Sequence, residues 1–164
     1  MNPRIFITLF LFLNFFVLKL LFAQQSDKSK IYAKIDKSIE NINRFLGSDC
    51  KMRYNKEEKE LAVMFYESGV PFREDKVYLD ALDPNSVHYV EEEKAVSVKC
   101  IEFKNLQGKL ANCYGEGCVG REFSKDKKIL SYSRIAFFVS DKNKNKLERE
   151  LKNLIMLGHE LSFR

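Results

Sequence analysis

Cys50, Cys100, Cys113 and Cys118 are the residues whose type and spacing first suggest chemistry. Four thiols can pair in three ways, hold a metal ion, or take part in redox exchange. Cys113-Tyr-Gly-Glu-Gly-Cys118 is a short loop with two glycines, flexible enough to bring its own ends within bridging distance. The expectation is a Cys113–Cys118 disulfide, with Cys50 and Cys100 paired by exclusion; alternatively one or both of that second pair stay free and buried as small core residues. A structural zinc site needs two closely spaced ligand pairs. Cys113 and Cys118 supply one, whereas Cys50 and Cys100 are isolated and the two histidines, His88 and His159, stand alone. A C-x-x-C motif is absent. The cysteines read as staples, with no metal site and no cofactor expected.

The other reactive types are sparse. His88 lies between Val87 and Tyr89 in a strand-like run, and His159 follows Gly158, where it can meet the last carbonyls of a helix. With no G-x-S-x-G and no H-E-x-x-H, neither histidine has the setting of a hydrolase base, so no catalytic residue is assigned. Gly115, Gly117 and Gly120 lack the Lys-Ser of a phosphate loop, and Asp80, Asp83 and Asn85 lack the twelve-residue frame of a calcium loop; Asp83-Pro84-Asn85 is a turn. Arg121, Tyr132 and Arg134 stand out. An arginine in a strand flanked by apolar residues must find a partner or reach the rim, so these three are the expected ligand or partner surface, suited to an anion. The plainer expectation for Arg134 is a salt bridge to one of the many glutamates.

Composition limits the partners. Hydrophobic residues make up 45% of the 164 and charged residues 31%, enough for one buried core. The formal charge of +5 falls to +3 without residues 1–23, and lysines are mixed with glutamates in Lys56 to Glu60 and Glu91 to Lys94. Nucleic acid is therefore not an expected partner. Residues 1–23 have the layout of a signal peptide: Arg4 in a basic start, an apolar Ile5 to Leu18, and Leu21-Phe22-Ala23 before a polar run. The expectation is export, to the periplasm or the exterior, with cleavage after Ala23 and no stable transmembrane anchor thereafter. An uncleaved anchor is the alternative, against which Lys19 interrupts the apolar stretch.

The rest, 24–164, reads as a single domain. Ile31, Ile35, Ile39, Ile42, Phe45 and Leu46 form one stripe of a helix over 26–46, and Gly47 can close it in a left-handed conformation. From Cys50 the period changes to two, and short strands separated by turns fill 50–139 as an antiparallel meander. Its last member, Ile129 to Val139, is apolar on both sides and is expected to be covered on both towards its end. Leu147, Leu151, Leu154 and Ile155 form the stripe of a second helix over 141–158, ended by Gly158 and lying as a lid on the sheet. The fold class is α+β: an N-terminal helix, an antiparallel bent sheet or barrel of about six or seven strands, and a C-terminal capping helix.

This order of elements, over Cys50 to Gly158, resembles the pleckstrin-homology-like superfold, a bent seven-stranded sheet closed by a C-terminal helix. The leading helix leaves a cystatin-like or cone-shaped sheet as the alternative. Ser131 to Arg134, Phe137-Phe138, Asp141 and the lysine-rich Lys142 to Leu157 are also similar to a pattern in small exported Bacteroidetes proteins of unknown function. Both resemblances imply fold rather than activity. The functional expectation is a small exported, non-catalytic module that binds a protein or an envelope component; the alternative is an extracytoplasmic hydrolase or hydrolase inhibitor.

Overall fold

The computed structural model describes residues 25, 27–101 and 117–163. The leader at 1–23 and Cys113 lie outside the described residues. Helix α1 spans residues 27–46, and Ile31, Ile35, Ile39, Ile42 and Leu46 are buried along one side, as their spacing predicts. Gly47, with φ of 73°, closes it. Among the described residues eight strands follow: β1 (Cys50–Asn55), β2 (Glu60–Glu67), β3 (Val70–Tyr78), β4 (His88–Val90), β5 (Ala95–Lys99), β6 (Val119–Phe123), β7 (Ile129–Tyr132) and β8 (Arg134–Phe138). Helix α2 (Lys144–Ser162) ends the described chain.

The strands form two antiparallel sheets, β1-β2-β3-β6-β7 and β4-β5-β8, so the class is α+β with a helix at each end. Among the described residues they do not close into a barrel. The strand expected over Ile129 to Val139 is two strands, because a bend at Ser133 passes the chain from the larger sheet to the smaller. Strands β6 and β5 follow one another along it: Val119 pairs with Tyr132, and Lys99 pairs with Arg134. Between those pairs the Cys100 amide donates to the Ser133 carbonyl at 2.8 Å. The β2–β3 turn is Ser68-Gly69, with φ of 52° and 80°; two successive left-handed residues make the tight turn whose twist suits a hairpin.

The bend also changes which side of the strand faces inward. In β7, Leu130 and Tyr132 are half-buried while Ile129 is 54% exposed; in β8, Ile135 and Phe137 are buried while Phe138 is 60% exposed. The expected double cover of this strand is thus incorrect. Each half buries one side, and the two halves bury opposite sides.

Helix α2 packs its Leu147, Leu151, Leu154 and Ile155 stripe over β4, β5 and two 3-10 turns, Leu79–Ala81 and Pro84–Ser86. It does not stop at Gly158. That residue lies inside the helix against Leu79, and a Cβ there would stand 2.2 Å from the Leu79 Cβ. His159 accordingly caps nothing; its Nε2–H donates to the Leu82 carbonyl at 2.9 Å. Asp83-Pro84-Asn85 forms the expected turn, with the Asn85 amide donating to Asp83 Oδ1 at 2.8 Å. Helix α1 is tied down at β1, where the Asn43 side-chain amide exchanges two hydrogen bonds with the Met52 backbone, and at α2, where Ser38 Oγ donates to Glu150.

The disulfide is Cys100–Cys118, with a Cα–Cα distance of 5.7 Å, and Cys50 is free and buried. This corrects both expected pairs, Cys113–Cys118 and Cys50–Cys100. Closeness in sequence favoured the first, but the ends of β5 and β6 meet opposite Ser133, so Cys118 finds Cys100 first. Cys50 on β1 is three strand positions from β6, about 14 Å at the usual strand spacing, beyond the reach of a disulfide.

A candidate anion pocket between the two sheets

Residues paired across an antiparallel sheet share a face, so the register lists what lines the inside of the larger sheet. Cys50, Phe65, Arg73 and Phe123 form one row, Met52, Val63, Asp75, Arg121 and Leu130 a second, and Tyr54, Leu61, Val77, Val119 and Tyr132 a third. Eleven of these fourteen are ordinary core side chains in character. The others, Arg73, Asp75 and Arg121, put three charges on an otherwise apolar face.

Asp75 is fully buried, which an ionised carboxylate tolerates only when paired and hydrogen-bonded. Arg121 supplies a two-pronged bond, Nε to Oδ1 at 2.8 Å and Nη2 to Oδ2 at 2.9 Å. Arg73 adds an ion pair, Nε to Oδ1 at 3.2 Å, yet its Nε is buried and makes no hydrogen bond. Both guanidinium groups lie on aromatic faces, Arg73 at 3.7 Å from the centre of the Phe65 ring and Arg121 at 4.0 Å from that of Tyr132. Burial pushes the Arg73 pKa below its ordinary value. Burial acts on Arg121 in the same direction, but the hydrogen bonds and charge of Asp75 outweigh it and the pKa rises.

Beyond Tyr132 the strand bends, and its even-numbered side leaves the core as Arg134, Ala136 and Phe138. These three, with Arg73, Arg121, Tyr132 and Glu93, line a pocket of about 260 Å3. Glu93, from the β4–β5 turn, takes two bonds from Arg134, at 2.8 and 3.0 Å. Among the described residues three arginines meet two carboxylates, Glu93 in the lining and the buried Asp75 bound to Arg121, which leaves one positive charge in excess. Arg121, Tyr132 and Arg134, singled out in the sequence, are thus brought together, and Arg134 also has the glutamate partner expected of it. Sequence reasoning missed Arg73, Asp75 and Glu93. A signal for the first two was there: Arg73 and Asp75 share parity with Val77, placing two charges on the buried side of a strand.

Comparison with protein-family models, with curated proteins and with solved structures finds no match to this chain. Its functional reading rests on its own residues.

The histidines lie elsewhere. His88 is exposed with Nδ1 at 2.7 Å from the Ser86 carbonyl, and neither it nor His159 lines the arginine pocket. Among the described residues no cluster of His, Cys, Asp or Glu could hold a metal ion, and no helix is long and apolar enough to cross a membrane. A roomier cleft of about 450 Å3 lies at the β2–β3 hairpin tip, between Val70, Phe72 and Phe123, with Lys125 and Asp126 at its side. Its charges do not converge.

Proposed function

We propose that this protein is a small exported, non-catalytic binding module that holds an anionic group of a protein or envelope component in the pocket formed by Arg73, Arg121, Tyr132 and Arg134. The observation that carries this reading is the excess positive charge: two arginines share the single buried carboxylate of Asp75. A buried charge left without full compensation attracts an anion more strongly than a solvated one, because the surrounding dielectric is low. Export is supported by the leader's layout and by the Cys100–Cys118 disulfide, a bond that oxidising compartments preserve. Kinship with the pleckstrin-homology-like superfold is part of the proposal, supported by a bent antiparallel arrangement with a C-terminal helix packed against it. The hydrolase alternative would depend on His88 or His159, both of which are bound to backbone carbonyls.

Titration with acetate, followed by the NMR signals of the arginine Nε–H groups, tests the pocket. Saturable shifts at Arg73 and Arg121 are expected; uniform or absent shifts would overturn the reading. Mass measurement of the protein recovered outside the cytoplasm of expressing cells tests export, with Gln24 as the expected first residue.

A further inference from the structure

We infer that the anion is a monocarboxylate whose remaining surface is apolar, the end group of an acyl chain or of a peptide closing on an apolar residue. The inference rests on the anion-binding reading above and narrows it. Charge is the first argument. Among the described residues Arg73, Arg121 and Arg134, against Glu93 in the lining and the Asp75 carboxylate bound to Arg121, leave a single positive charge, which one carboxylate neutralises and a phosphate dianion would overshoot. The donors are the second: guanidinium groups are planar forks that match the planar carboxylate, and three of them, Arg73, Arg121 and Arg134, line the pocket.

The walls supply the third argument. Apart from four charged residues, Arg73, Glu93, Arg121 and Arg134, the lining is Tyr132, Ala136 and Phe138. Among the described residues no serine, threonine, asparagine or glutamine lines it, so the hydroxyls of a sugar acid would lose water and gain few partners. Phe138, 60% exposed at the rim, is a large apolar surface that an apolar ligand would cover. At about 260 Å3 the pocket is smaller than the usual site for a whole drug-sized ligand, and it suits an end group.

The purified protein is titrated with octanoate, N-acetylphenylalaninate, N-acetylphenylalanine amide, glucuronate and inorganic phosphate, with heat of binding and arginine Nε–H shifts as readouts. Octanoate, N-acetylphenylalaninate or both should bind at least about tenfold tighter than glucuronate and phosphate, a difference of about 1.4 kcal/mol. The tighter of the two names the source, and the uncharged amide should bind at least as weakly as phosphate. Ala136→Leu fills the pocket from a half-buried position and should abolish binding. Phe138→Ser, at an exposed position, should weaken octanoate severalfold and acetate much less; equal weakening of both would count against an apolar contact. Glucuronate or phosphate binding as tightly as the apolar acids, or the amide binding as tightly as its acid, would overturn the inference while the anion pocket stands. If none of the anions moves the arginine signals, the pocket reading falls with it.

Discussion

Asp75 is the residue on which the pocket depends, because it holds Arg121 through two bonds and Arg73 through an ion pair. Removing its charge leaves two arginines on an apolar face without their counter-ion. Asp75→Asn should therefore destabilise the protein by about 3–5 kcal/mol, read from the urea midpoint at constant slope. Glu93 is a different case. It lies at the surface, and its hydrogen bonds from Arg134 hold its carboxyl below the ordinary glutamate pKa. A folded-state pKa lower than the unfolded one means that the pair stabilises the fold above the ordinary glutamate pKa and ceases to as pH falls through the lowered value. The stability gap between wild type and Glu93→Gln should be present at neutral pH and vanish in acid, and the variant should bind anions more tightly at neutral pH because the pocket gains a charge. Burial pushes the Cys50 thiol up to about 12. It should resist Ellman's reagent in the native protein at pH 8 and react on unfolding; ready native reaction would contradict its burial. With the folded pKa raised, this thiol's contribution is complete below its unfolded pKa and is lost as pH rises from there towards 12.

At the scale of elements, two contacts set how the helix and the sheets meet. Gly158 lets α2 lie directly on Leu79, and the close approach leaves no room for a methyl group. Gly158→Ala should cost about 1–3 kcal/mol through overpacking, despite alanine's better helix propensity, and thermal unfolding will show which effect wins. The Cys100–Cys118 bond joins the ends of β5 and β6 where they meet the bend at Ser133. Replacing both cysteines with serine should lower stability by about 2–4 kcal/mol. If that variant keeps its full denaturant midpoint, the fold holds these strand ends together without the bond.

Over the whole molecule, both helices were legible because a period of 3.6 with buried isoleucines and leucines is a local signal: Ile31 to Leu46 and Leu147 to Ile155 face inward as read. Most turns were legible for the same reason, since Ser68-Gly69 and Asp83-Pro84-Asn85 carry their conformation in their own residue types. The end of α2 was not. Glycine is a helix stop by local rules, and here a tertiary contact with Leu79 gives it another role. The pocket was half legible. Arg121, Tyr132 and Arg134 drew notice as polar groups within an apolar strand, but Arg73, Asp75 and Glu93 come to them only through the β3–β6 register and the β4–β5 turn.

Local periodicity and turn chemistry by themselves determined two amphipathic helices around a set of antiparallel strands, because each depends on neighbours a few residues apart. Tertiary structure decided the rest: which cysteine meets Cys118, the break at Ser133, and the change of the inward side across it. These follow from pairings such as Cys100–Cys118, Val119–Tyr132 and Lys99–Arg134, between residues distant in sequence, chosen by register and packing among several arrangements the same local pattern permits. The apolar surface of Ala136 and Phe138, which in sequence looks like more core, lines a pocket because the bend turns that side of the strand away from the interior.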